Sequence, residues 1–329
     1  MRCLTFFLST VVVVVAAVLF GRFFGAPRAP PEWHKGAKWE RFLSIYDTFL
    51  NEFFADCDWQ VIDTSFGSTA LWACGDRTAP AVLFLHGAAS SSMIYGDWIL
   101  PRVAKTRFAV AVDFVCDVGR SRPVNGDVKT CPQTEAALAQ WVREICIGLG
   151  IDTPVSLVGY SYGAFIAAAT AIHEPALVDR VVLLAPAAVL APVEFGWLWR
   201  AIVYGTFYAG PWFTEYMAAD PNFVYERDVG TARHRAFLEA VNAVSATVLA
   251  VPPSQFDDET LRRAAASHKM LVVIGDAETV TNATLVAETA RRTGIEVELV
   301  RNAGHLMLIE KPARHFVDDR VPRWLIAHK

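Results

Sequence analysis

The chain of 329 residues is short of charge: Lys, Arg, Asp and Glu make up 19% of it, and the formal net charge is -4. It has no basic patch and no nucleic-acid motif, which sets aside nucleic acid as a partner. Cysteine is sparse and scattered. Beyond Cys3 stand Cys57, Cys74, Cys116, Cys131 and Cys146, an odd number, widely spaced and without a CxxC pair. Neither a zinc site nor a disulfide framework is indicated, and buried free thiols are expected. There is no cluster of metal-ligand residues and no dinucleotide fingerprint, so no cofactor and no metal are expected. After the leader there is no internal repeat and no low-complexity stretch.

What the chain does have is apolar residue, 53% of the total, above the usual share for a soluble domain. Part of the excess lies in the leader "MRCLTFFLSTVVVVVAAVLFGRFFGAPRAPPEW". Cys3 to Phe20 carries no charge, about the minimum length for a membrane-spanning helix. A secretory signal usually has a shorter apolar region and a small-residue cleavage site, which "FGAP" does not offer. Residues 1–25 are therefore expected to form a single-pass signal anchor, with secretion after cleavage as the alternative. Residues 26–38 follow as a Pro-rich linker and 39–329 as the body. Sidedness stays open. Arg22, Arg28, Lys35 and Lys38 would keep the body cytoplasmic, whereas the sequon Asn282-Ala283-Thr284 points the other way.

In the body, "ERFLSIYDTFLNEFFAD" (40–56) sets Phe42, Tyr46, Phe49 and Leu50 at helical spacing. "WQVIDTSF" and "STALWACG", separated by Gly67, predict a hairpin. Near-continuous apolar runs then recur at 80–87, 108–115, 155–160, 180–186 and 270–276, with "EVELV" at 296–300. They alternate with helical patterns such as "TEAALAQWVREICIGLG" and "NATLVAETARRTG". That alternation predicts an α/β protein with a doubly wound, mostly parallel sheet. Pro186 to about Thr260 breaks it: no buried strand is evident, and the stretch is dense in Trp, Tyr and Phe. A helical cap insert at about 187–262 is expected there.

The chemistry centres on "LVGYSYGAF". Ser161 lies between Gly159 and Gly163, where a β-run ends and an alanine-rich helix begins. A serine hydroxyl needs a base to take its proton and a third group to orient that base. Two flanking glycines let strand and helix close beneath a serine on a strained turn. The oxyanion donors would be the N–H groups of Ala88, in "LFLHGAASSS", and of Tyr162. His86 at that strand end is kept as a structural hydrogen-bonder. The base expected from chain order is His305, on a glycine loop in "VRNAGHLMLIEKP". His173 sits in the helix after Ser161, His34 and His328 are terminal, and His234, His268 and His315 lack such a loop. For the acid, "VVIGDAETV" offers Asp276 and Glu278.

With "HGAAS", "GYSYG", "GDAET" and "NAGHLMLIEKP" in this order, the chain from about residue 40 onward resembles a serine hydrolase of the α/β-hydrolase superfamily. The resemblance implies an acid three residues after Gly275, hence Glu278 over Asp276. It also takes in "VDFVCDVGRSRP", with Asp113, Gly119 and Ser121, although Cys116 and Val118 depart from the usual pattern. Dehalogenases and epoxide hydrolases of the same fold carry aspartate at the elbow, which Ser161 excludes. The function so implied is hydrolysis of carboxylic esters of an apolar or lipid-like substrate through an acyl-enzyme with a Ser-His-Glu triad. Alternatives are C–C bond hydrolysis, a non-haem peroxidase-type activity, or a catalytically silent binding protein. The expected associations are a small substrate and, through the N-terminal helix, a membrane.

Overall fold

The computed structural model describes residues 36–96, 99–207, 215–220, 236–237, 239–241, 243–244 and 249–327. The expected anchor, residues 1–25, lies outside them, as does the linker up to residue 35. Among the described residues, no helix is long and apolar enough to cross a membrane.

The first element is helix α1, Ala37–Phe53. Its buried residues, Trp39, Phe42, Tyr46 and Phe49, recur every three or four positions and form one apolar stripe. Strands β1 (Cys57–Thr64) and β2 (Gly67–Cys74) pair antiparallel as the expected hairpin, closing at Thr64 and Gly67. There follow β3 (Ala81–Leu85), β4 (Phe108–Val112), the two-residue β5 (Arg122–Pro123), helix α2 (Glu135–Gly148) and β6 (Val155–Tyr160). Then come helix α3 (Tyr162–His173), β7 (Val178–Leu184), helix α4 (Phe195–Phe207) and helix α5 (Asp258–Ser267). The chain continues with β8 (Lys269–Gly275), helix α6 (Ala283–Thr293), β9 (Glu296–Val300) and helix α7 (Lys311–Ile326).

These strands make one sheet in the order β1-β2-β4-β3-β6-β7-β8-β9, with β5 paired to β2. Pairing is parallel from β4 through β9 and antiparallel around β2. The central strands β3, β4 and β6 are buried along their whole length, as expected where helices cover both faces. The two-residue period sorts each strand between two cores. Leu83 and Leu85 of β3 pack on one face with Trp141 of α2 and Phe165 of α3. Val82 and Phe84 pack on the other with Phe42 and Tyr46 of α1 and Val317 of α7. Each such side chain contributes about 1.5–3 kcal/mol through burial. Within the span expected as an insert, the regular structure among the described residues is helical, and Phe237 there packs its ring on Phe42 and Phe49 of α1.

The cysteines correct the sequence reading. Cys57 and Cys74 are directly opposed partners at the open end of the hairpin and form a disulfide. Cys116 and Cys131 form a second, 15 residues apart. Among the described residues Cys146 alone is a free thiol, buried in α2, where desolvation pushes its pKa up to about 12. Spacing misled because strand pairing and loop return, rather than sequence distance, set which cysteines meet.

Candidate active site

Ser161 stands at the junction of β6 and α3 with φ 53° and ψ -113°, a left-handed conformation that costs a non-glycine residue of order 1–3 kcal/mol. Its own backbone holds it there. The N–H donates to Leu184 O at 2.9 Å, and the carbonyl accepts from Ala164 at 3.1 Å and Ala187 at 3.3 Å. The flanking glycines have steric causes. A Cβ on Gly159 would lie 2.2 Å from Gly163 O, and one on Gly163 would lie 1.9 Å from Leu85 O. Any side chain at either place would push α3 off the sheet.

His305 lies on the loop between β9 and α7 and is 6% exposed. Its Nε2 is 2.9 Å from Ser161 Oγ, and its Nδ1 is 2.9 Å from both carboxylate oxygens of Glu278. Because a carboxylate only accepts, Nδ1 carries the proton and Nε2 presents its lone pair to the serine hydroxyl. Glu278 is itself held: its fully buried side chain accepts from the N–H of Thr279 at 2.8 Å and of Val280 at 2.7 Å through Oε1. Asp276 is exposed, and its N–H is bonded to Val300 O. The structure thus brings Ser161, His305 and Glu278 into one chain of hydrogen bonds and leaves Asp276 outside it.

The strand-end loop after β3 closes on the serine from the other side. A Cβ on Gly87 would lie 3.1 Å from Ser161 Cβ. Ala89 adopts φ 52°, and its N–H donates to Asp117 Oδ2 at 2.9 Å. That N–H is therefore committed. Tyr162 is the first residue of α3, at the end where a helix leaves N–H groups without intrahelical partners and its dipole favours negative charge. His86 lies where a structural role needs it. Its Nε2 accepts from Phe114 N–H at 2.9 Å and its Nδ1 donates to Gly87 O at 2.7 Å, while burial lowers its pKa.

Asp117, Tyr160 and Glu310 support the site without having been singled out for it, as does Asp113, named before only within the resembling segment. Asp113, fully buried, accepts from Ser92 N–H and Oγ, from Tyr46 Oη and from Arg120 N–H. Two residues of the resembling segment pack onto it. A Cβ on Gly119 would lie 2.4 Å from Asp113 Oδ2, and Ser121 Oγ donates to the Asp113 carbonyl at 2.7 Å. Tyr160 Oη donates to the His305 carbonyl at 2.9 Å, and burial raises the Tyr160 pKa well above the phenol range. The signal for Asp113 was the motif context alone. No cluster able to hold a metal occurs among the described residues.

A sequence model of the alpha/beta hydrolase family matches residues 82–317, well over half of the chain. The carboxylesterase nap of Bacillus subtilis (strain 168) is 26% identical over 289 residues, covering 87% of this chain and 93% of that protein. Carboxylesterase YbfK of the same organism is also 26% identical, over 295 residues, with the same coverage. Among solved structures, the naproxen esterase (carboxylesterase NP) of Bacillus subtilis superposes with a TM-score of 0.74. Its identity to this chain is 24%, and the match covers 89% of this chain and 99% of that one. A meta-cleavage product hydrolase of Pseudomonas fluorescens IP01 shares the fold at a TM-score of 0.60 and 19% identity, covering 82% and 98%.

Proposed function

The chain belongs to the alpha/beta hydrolase family, and from that premise we propose that it is a serine hydrolase acting on carboxylic esters of apolar substrates. The observation that carries the reading is the unbroken chain from Ser161 Oγ through His305 to Glu278, each link at 2.9 Å, beneath a strained elbow. The names of the two Bacillus relatives, both carboxylesterases, support the ester as substrate class.

In the proposed mechanism Ser161 Oγ attacks the acyl carbon as His305 Nε2 takes its proton. Glu278 holds the imidazole in the right tautomer and stabilises the imidazolium. The carbonyl oxygen becomes an oxyanion against the N–H groups of Ala88 and Tyr162, donors already fixed before the reaction begins. His305 then protonates the leaving alcohol, and water, deprotonated by the same histidine, releases the acid and restores Ser161. No step calls on a metal or cofactor. The aromatic insert at about 187–262 would roof an apolar acyl or alcohol group, and residues 1–25 would anchor the body, 39–329, to a membrane.

The test is labelling by a fluorophosphonate, which captures a serine only when its base activates it. We expect wild type to label and Ser161→Ala and His305→Ala not to, followed by turnover on an ester series graded by acyl length. A folded wild-type protein that neither labels nor turns over any ester would overturn the reading.

A further inference from the structure

The loop that carries His305 is fastened to two different parts of the molecule. From the sheet side, Tyr160 Oη holds the His305 carbonyl. From the other side, the fastening is a short piece of the expected insert, Met217 to Asp220. The His305 N–H donates to Met217 O at 2.8 Å. Glu310, 3% exposed at the start of α7, accepts from Gly304 N–H at 2.7 Å through Oε2 and from Ala219 N–H at 2.5 Å through Oε1. The N–H of Asp220 also donates to this carboxylate. The backbones are in close contact, since a Cβ on Gly304 would lie 2.5 Å from Met217 O and 2.6 Å from Ala219 N. Ala218, Leu306 and Ile309 seal the junction as a small apolar cluster of their own, separate from the two main cores.

We propose that Glu310 is a positioning residue that bolts the insert to the His305 loop, so that the seat of the insert sets the reach of the base to Ser161; this rests on the serine-hydrolase reading above. The chemistry of the bridge fits the task. A carboxylate has acceptors on both oxygens and no donor, so it can join N–H groups from two segments, one of them 91 residues away in sequence. An amide of the same shape must turn an NH₂ toward one of those N–H groups, leaving a buried donor unpaired. Loosening the bolt frees the histidine loop on its outer side while Glu278 and Tyr160 still hold it on the inner side. The consequence is misplacement of the base rather than its loss.

The test compares full-length wild type, Glu310→Gln and Ala219→Pro by ester kinetics, by the rate of fluorophosphonate labelling, and by the downfield proton NMR signal of His305 Nδ1–H. Ala219→Pro deletes the donor on the insert and changes no residue of the His305 loop. In both variants we expect kcat and the labelling rate to fall about 10- to 100-fold, as a displacement near 1 Å does elsewhere, with KM nearly unchanged and the Nδ1–H signal shifted. A group needed only for folding would lower the melting temperature and leave kcat and the signal of the folded fraction alone. Folded Glu310→Gln with wild-type kcat overturns the proposal. If Glu310→Gln does not fold, wild-type kcat in Ala219→Pro overturns it just the same. Should wild type turn over no ester, the Nδ1–H signal still decides. A shift in the variants upholds the bolt while the hydrolase reading falls, and an unmoved signal overturns the bolt as well.

Discussion

Glu278 and Asp276 sit two positions apart after the same strand, yet only Glu278 faces Nδ1 of His305. The backbone decides between them. Asp276 N–H is tied to Val300 O beside the sheet, whereas Glu278 has passed the turn and points inward. We expect Glu278→Ala to lower kcat/KM about 10³- to 10⁴-fold, as loss of a histidine's orienting carboxylate does, and Asp276→Ala to leave it unchanged; steady-state kinetics on one ester decide. The reverse result would move the acid role to Asp276. His86 gives a pH prediction. Desolvation lowers its pKa from 6.5, so the unfolded chain takes up the proton first as pH falls. Its contribution to stability is then full above about 6.5 and is lost as pH drops from there toward the lowered folded value. Urea unfolding across pH 5 to 7.5 should show this slope, and the difference between wild type and His86→Gln should isolate it. Ser161 and His305 were legible because a nucleophile elbow and a glycine-loop histidine have local context. Asp117 and Glu310 were not, because their partners, Ala89 and Ala219, are brought to them only by the fold.

Among the elements, the strands were easier to read than the connections. A parallel strand buried on both faces writes itself as an apolar run, and all the expected runs from β3 to β9 correspond to observed strands, displaced by a few residues at their ends. Helix α1 was legible for the opposite reason, since its single buried stripe repeats with helical spacing. The pairing of the strands, which puts β4 between β2 and β3, was not legible, because hydropathy carries no partner information. The elbow turns this geometry into a sharp expectation. At Gly163 helix α3 runs close against β3, and a methyl there meets the backbone oxygen of Leu85, which cannot step aside. Gly163→Ala should therefore cost both stability and fluorophosphonate labelling. Gly126→Ala, where a Cβ would meet nothing within 4 Å, should keep full labelling and lose only the cost of a left-handed alanine, about 1 kcal/mol. Thermal melts with labelling of both variants separate the close approach at the elbow from the general cost of removing a glycine.

At the scale of the whole molecule, the two disulfides bear on where the body works. Cys57–Cys74 closes the edge hairpin, and Cys116–Cys131 ties down the loop whose neighbouring Asp117 holds Ala89 beside the nucleophile. Each closes a loop of 15 to 17 residues, worth about 3 kcal/mol by the loop-entropy estimate. Such bonds persist in oxidising compartments and are reduced in the cytosol. The basic residues Arg22, Arg28, Lys35 and Lys38 after the apolar leader argue for a cytoplasmic body. The disulfides and the exposed Asn282 sequon argue for the opposite side. We expect the disulfides to prevail, because a bond of this kind must survive for as long as the protein does, whereas a charge bias only tilts insertion. Full-length protein taken from its native cells, denatured without reductant and treated with a maleimide mass tag, should then take up at most two tags, on Cys146 and Cys3. After reduction it should take up six, one for each cysteine of the chain. The oxidised protein should also unfold at a higher temperature than the reduced one, and reduction should slow ester turnover by loosening the segment whose Asp117 holds the Ala89 N–H. Six tags without reductant would place the body in a reducing compartment, and the charge bias would then be the better guide to where it lies.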